Sequence, residues 1–207
     1  AAFAQMLKKR YGGRLDADAD TFIDIVVGGA KRMDALISDL LVYSRLSGDA
    51  SRAGTVALDQ ICQAALDHLG EVIRTAKAEI SVAPLPKVLG ESEQLVQVFE
   101  NLIDNAIKFR RPDGPVHIRI WAEPAAPGEW RISVADNGIG VEASQQDIFE
   151  IFRRLHTASQ YPGTGVGLAI CKRVIRRLGG RIWFDPAPNG GTIFRFTLRA
   201  ADDEAEA

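Results

Sequence analysis

The ten residues from Glu100 to Phe109, ENLIDNAIKF, decide how the rest of the chain is read. Leu102, Ile103 and Ala106, preceded by Leu95 and Phe99, recur at three- and four-residue intervals and make the apolar face of a helix predicted over about 92–109. Asn101, Asn105 and Lys108 fall at i, i+4 and i+7 and share the opposite face. Asparagine costs a helix about 0.6 kcal/mol against alanine, and a face that only met water would more naturally carry Lys and Glu. Two amide oxygens in line with an ammonium suit Mg²⁺ and a phosphate chain, because a hard cation takes oxygen ligands. A solvated polar face fits the same residues, and the stretch by itself leaves both readings open.

Two glycine-bearing segments lie downstream. Asp136-Asn137-Gly138-Ile139-Gly140 follows the apolar strand 131–135 directly. A carboxylate at a strand end can accept a hydrogen bond while the glycines let a flat ligand approach the backbone; an ordinary Asp-Asn-Gly turn is the alternative. Gly163-Thr164-Gly165-Val166-Gly167-Leu168 opens a helix predicted over 166–178, where exposed N–H groups and the helix dipole suit phosphate. Two familiar motifs are excluded. No Gly-Lys-Ser/Thr is present, no strand directly precedes these glycines, and Leu168 stands where a dinucleotide fingerprint needs its third glycine.

Around these segments the pattern is that of a compact α/β unit over 56–200. A helix is predicted at about 59–74, a turn at Pro84-Pro86, and strands near 79–82, 116–122, 130–135, 181–184 and 192–198. Residues 47–55, SGDASRAGT, read as a linker, and 201–207 as an acidic tail. Residues 1–46 read as a helical hairpin. Asp16, Asp18 and Asp20 lead into its long second helix, whose apolar positions 22, 26, 33, 36, 40 and 43 make a stripe too broad for a lone surface helix. Pairing with a second copy as a four-helix bundle fits this stripe, and so does packing within its own domain.

Composition narrows the classes further. With 25 Lys and Arg against 27 Asp and Glu, the net charge of −2 disfavours a nucleic-acid binder. No apolar run approaches the roughly 20 residues that span a bilayer, and no signal peptide is recognisable. Cys62 and Cys171 lie in helical segments among apolar neighbours and read as small core residues of a cytoplasmic protein.

In their order and spacing, ENLIDNAIKF, DNGIG, IFEIFRRLH (148–156) and GTGVGLAI (163–170) resemble the asparagine, first glycine, phenylalanine and second glycine boxes of sensor histidine kinases. These belong to the wider ATPase family that includes DNA gyrase, the mismatch-repair ATPases and the heat-shock chaperone. DLLVYSRL (39–46) resembles the end of a kinase dimerisation helix, and NAIKFRRPD with RLHTASQYPGTGVGLAICKR resembles the bacteriophytochrome-like subgroup. The resemblance implies an α+β fold, a two-layer α/β sandwich with a mixed sheet covered by helices on one face. It implies that Asp136 accepts from the adenine amino group, with Gly138 and Gly140 along the base and Thr192 near it; a plain edge-strand threonine is the alternative at 192. Asn105 would ligate Mg²⁺ with Asn101 beside it, Lys108 and Arg154 would meet the phosphates, and Gly163, Gly165 and Gly167 would cap them, with Thr164, Val166 and Leu168 in the same loop. Phe149 and Phe152 would anchor a lid spanning 153–164, mobile without ATP. A response-regulator receiver domain would be the downstream partner.

One family feature is missing. The acceptor histidine of these kinases is followed by an acid and, a few positions on, a proline. His68, His117 and His156 are followed by Leu-Gly-Glu, Ile-Arg-Ile and Thr-Ala-Ser, so none fits and none is expected to have an acid beside it to take up the ring proton. The acceptor is therefore expected upstream of Ala1. Two other functions remain in view: a signalling module without catalysis, and an ATP-hydrolysing clamp. The clamps carry a general-base glutamate where this chain has Asn101, which disfavours water activation.

Overall fold

A computed structural model describes residues 2–14, 16–45, 53–112, 114–142, 144–153 and 163–201. They divide into two units, Ala1–Arg45 and Leu46–Ala207.

The first unit is a hairpin of α1 (Ala2–Tyr11) and α2 (Ala17–Arg45). Asp16 caps α2: its carboxylate accepts the Ala19 N–H at 2.8 Å, satisfying a donor that every helix start leaves over. Asp20 accepts the Gly13 N–H at 3.0 Å from the turn, and Lys8 of α1 pairs with Asp24 of α2 at 2.8 Å. Ile23 and Val27 are buried and Leu36 and Tyr43 half-buried, whereas much of the apolar stripe stands open: Phe22 is 65% exposed, Val26 57% and Met33 59%.

The second unit departs from the sequence reading at its start. A strand β1 (Gly54–Ala57) begins inside the stretch expected to be linker and pairs antiparallel with β3 (Lys87–Gly90). At four residues each, these strands show too little alternation to be read from sequence. The helix predicted at 59–74 is two, α3 (Leu58–His68) and α4 (Gly70–Ala76). Leu69, at φ −89 and ψ 5, leaves the helical region, and Gly70 after it gains least from staying helical.

The remaining predicted elements fall close to their places: β2 (Glu79–Val82), α5 (Ser92–Lys108), β4 (His117–Ala126, longer than predicted at its end), β5 (Glu129–Asp136), α6 (Gly167–Arg177), β6 (Ile182–Pro186) and β7 (Thr192–Arg199); a 3₁₀ turn (Gln146–Phe149) was not predicted. Five strands form one mixed sheet in the order β2-β4-β5-β7-β6, parallel between β2 and β4 and antiparallel elsewhere. The alternation along each strand sets its two faces. Ile118 and Ile120 of β4, Ile132 and Val134 of β5, and Phe194, Phe196 and Leu198 of β7 are buried beneath the helices, while His117 and Arg119 are exposed on the other face. From above, Leu95, Phe99, Leu102, Ile103 and Ala106 of α5 close the core as their periodicity predicts. Phe99 meets Phe196 edge-on, ring centroids 5.9 Å apart. The arrangement is the expected two-layer sandwich with helices on one face.

Cys62 and Cys171 are buried, and burial pushes both thiols up to about 12; nearby Asp59 adds to the rise at Cys62. Among the described residues no helix is long and apolar enough to cross a membrane.

Candidate nucleotide-binding site

The polar face of α5 meets the glycine segment that opens α6. Asn101 Oδ1 stands 2.7 Å from where a Cβ on Gly167 would be, so the bare backbone at Gly167 lets α6 begin directly against the amide. Two turns along the same face, Lys108 holds its ammonium where Gly163 would otherwise carry a side chain, 5.1 Å over the Phe109 ring. Asn101, Asn105 and Lys108 are all half-buried. Val166, fully buried, seats the start of α6, and the Thr164 hydroxyl lies 3.4 Å from its N–H. Gly165 accepts the Phe152 N–H at 3.0 Å. The N–H groups of Gly167 and Leu168 sit in the first turn of α6, where no intrahelical acceptor exists for them.

Asp136, at the end of β5, makes the other end of the site. Its Oδ1 accepts two backbone N–H groups, from Gly138 at 2.8 Å and Thr192 at 3.3 Å. Among the described residues nothing donates to Oδ2. Burial holds this carboxyl above the ordinary carboxylate range, and the two N–H bonds pull in the opposite direction. The loop after it is fastened to the end of α5: Ile139 donates to the Phe109 carbonyl at 3.0 Å, and a Cβ on Gly138 would come within 2.5 Å of that oxygen. Gly191, at φ +92, adopts a conformation that L side chains rarely take, and a side chain there would collide with the Asp136 carbonyl oxygen. Gly140 packs against Gly191 in turn. Asn137 faces away from the site, accepting the His117 N–H at 2.9 Å and donating to the Pro115 carbonyl at 2.8 Å.

Several expectations need amendment. Thr192 is not on an edge strand, since β7 lies between β5 and β6; it is buried and contributes its N–H to Asp136. Phe149 is in the core, with Phe184 and Phe194 at 6.3 and 6.4 Å, whereas Phe152 is 55% exposed at φ +64 and anchors nothing there. Arg154, His156 and most of the expected lid lie outside the described residues. The two described histidines, against expectation, do have acids beside them. His68 Nδ1 is 2.6 Å from Glu100 Oε1, and His117 Nδ1 is 3.1 Å from Glu79. Glu100 follows Phe99 on α5 and turns toward α3, while Asn101 turns toward α6. His68 therefore sits on the opposite flank of α5 from the glycine segment, and His117 is on the open face of the sheet. The sequence reading also passed over Arg111, which joins the Gly138 loop at 3.0 Å.

With this geometry in place, comparison with known proteins decides the family. Residues 90–202 match the model of the histidine kinase-, DNA gyrase B-, and HSP90-like ATPases, more than half of the chain. The chain belongs to this ATPase family. Among curated proteins it is 44% identical to cyanobacterial phytochrome A of Nostoc sp. (strain PCC 7120), across all of this chain and 27% of that protein. It is 32% identical to the adaptive-response sensory kinase SasA of Synechococcus sp. (strain JA-2-3B'a(2-13)), over 81% of this chain and 46% of that one. The chain thus spans about a quarter of the phytochromes it matches and under half of the SasA kinases. Among solved structures, full-length ShkA in complex with AMPPNP matches with a TM-score of 0.70 at 26% identity, covering 96% of this chain and 42% of that one. The mycobacterial sensor histidine kinase MprB matches with a TM-score of 0.60 at 27% identity, covering 71% and 97%. The second unit is an ATP-binding catalytic domain of the sensor-histidine-kinase type, and the phytochrome-like wording of its boxes agrees with its relatives.

Proposed function

We propose that the second unit binds Mg-ATP and gives its terminal phosphate to a histidine that is not among these 207 residues, for relay to a receiver-domain aspartate. What carries this reading is a convergence: α5 brings Asn101 against Gly167 and Lys108 against Gly163, while Asp136 stands at the far end with one oxygen that takes no donor among the described residues. The span suits a nucleotide lying from base to phosphates. Asp136 Oδ2 accepts the adenine amino group, and Gly138, Gly140 and Thr192 border the base. Lys108 faces the phosphates, a role the family resemblance also gives Arg154, which lies outside the described residues, and the backbone of Gly163, Thr164, Gly165, Val166, Gly167 and Leu168 supplies donors at a helix start.

The donor set fits Mg²⁺: the amide oxygens on the α5 face are hard ligands, and phosphate oxygens complete the shell. Asn105 would hold the ion, with Asn101 beside it, and the bound ion would neutralise charge on the phosphates. Positioning and charge stabilisation do most of the work in such a transfer. Asn101, an amide rather than a carboxylate, cannot take a proton from water, which favours transfer over hydrolysis. That ShkA was crystallised with AMPPNP supports a nucleotide in this fold. Calorimetric titration tests the metal assignment. ATP affinity falls when Mg²⁺ is chelated, and in Asn105→Ala chelation makes little further difference; a variant as metal-dependent as the wild type removes Asn105 from this role.

The exposed stripe of α2 supports a homodimer through the hairpin, as a four-helix bundle in the cytoplasm, where ATP is available. Phe22, Val26, Met33, Ile37 and Leu41 are each more than half exposed, a contiguous apolar surface that water does not favour. Light scattering at high concentration should give twice the chain mass, and Val26→Asp with Met33→Asp should halve it. A monomeric wild type speaks against a dimer held by these residues.

A further inference from the structure

Asp136 does not fix its own direction. The two N–H groups on its Oδ1 come from separate loops, Gly138 after β5 and Thr192 after the 187–191 turn. One side chain spans the two. Arg111 lies just beyond α5, and Pro112 after it disfavours a helical backbone at that position. Its Nε donates to the Gly138 carbonyl at 3.0 Å. Its Nη2 fills the space where Gly190, at φ +85, would carry a Cβ. Gly138 is thereby held on both sides, its N–H on Asp136 and its carbonyl on Arg111. The turn carrying Gly190 is closed by its own bonds, Gly190 N–H to the Ala187 carbonyl at 3.0 Å and Ala187 N–H to the Gly191 carbonyl at 3.1 Å. Movement at Gly190 is therefore passed to Thr192, two residues on.

We propose that Arg111 is a positioning residue for base recognition: by clamping the Gly138 loop to the 187–191 turn, it aims Asp136 at the exocyclic amine of the purine and so sets the preference for a 6-aminopurine over a 6-oxopurine. The inference rests on the proposed nucleotide site. A guanidinium near the end of α5 has another conceivable job, attracting the triphosphate. The two roles differ in what they see. A charge that meets the phosphates acts equally on any nucleoside triphosphate, whereas the clamp acts only on the base that Asp136 reads. The planar fork of arginine suits a two-point contact between loops, which a point charge on a flexible stem does not reproduce.

The test compares ATP with inosine triphosphate, which has the same sugar and phosphates but a carbonyl in place of the amine. Calorimetric titration of the 207-residue chain should show ATP bound at least about tenfold more tightly, the loss expected for a hydrogen bond to a charged group. In Arg111→Ala the ATP affinity should fall about fivefold and the inosine triphosphate affinity by less than about twofold, so that the preference shrinks by about 2.5- to 5-fold. Should that variant not fold, as judged by its circular dichroism melt, Arg111→Met keeps the aliphatic stem and carries the same test. An equal fall for both nucleotides, or an unchanged ratio, overturns the clamp while leaving the nucleotide site standing. A wild-type chain that binds both equally removes Asp136 from base reading and the clamp with it; one that binds neither withdraws the site itself.

Discussion

Asp136→Asn lowers the affinity for Mg-ATP by about 10- to 150-fold, the cost of about 1.5–3 kcal/mol for losing a hydrogen bond to a charged group. The substitution is almost isosteric, so its effect comes from chemistry rather than packing. Gly138 and Thr192 hold Oδ1 through their N–H groups and should select the asparagine rotamer that keeps its oxygen there. The amide nitrogen then occupies the Oδ2 position and presents a donor to the adenine amino group, itself a donor. Protonation gives the same residue a second signature. Burial raises the Asp136 carboxyl above its ordinary, unfolded-chain value. In the window between that value and the raised one, the folded chain binds more protons than the unfolded, so this group's contribution to stability declines as pH rises. An adenine donor favours the ionised form, lowers the raised value and releases protons on binding in that window. Titration in two buffers of different ionisation enthalpy should show this release in the wild type and its absence in Asp136→Asn. Unchanged affinity in the variant removes Asp136 from adenine recognition.

How much of this was legible beforehand depended on whether the signal was local. The period along Leu95, Phe99, Leu102 and Ile103 predicted both the helix and its buried face, because a 3.6-residue repeat against a core leaves its mark in consecutive residues. The polar partners on the other face were legible as types. Their contacts were not: Asn101 against Gly167 and Lys108 against Gly163 join residues more than fifty positions apart. The same limit misled the reading of the histidines. Glu100 lies 32 residues from His68, and only the packing of α3 on α5 brings them to 2.6 Å. Arg111 carried a faint local hint, an arginine held just past a helix end by the following proline, but the two loops it joins are made by distant strands. The short β1 and β3 escaped because four-residue strands are fixed by their mutual pairing more than by their own pattern.

Incubated alone with radiolabelled ATP, the chain should bind nucleotide yet acquire no phosphohistidine; offered a partner protein bearing a histidine followed by an acid on an exposed helix, it should transfer label to that partner. In-line transfer needs the ring nitrogen about 3 Å from the terminal phosphorus. His68 is on the wrong flank of α5, and its Nδ1 is engaged by Glu100. His117 is on the face of the sheet turned away from the helices, beside Glu79. These acids are placed to take up a ring proton, a step worth about 10²–10⁴-fold, but they do so where no phosphate would lie. Geometry, and not the lack of an acid, is what excludes both as acceptors. The central claim, that this chain is the nucleotide half of a histidine kinase, is therefore tested most directly by following the label. Phosphohistidine is acid-labile and alkali-stable, so brief acid and alkali treatments distinguish it from phosphoserine and acyl phosphate. The account predicts alkali-stable, acid-labile label on the partner only, abolished there by replacing its histidine. Such label on the chain alone, mapped to His68, His117 or His156, would contradict it.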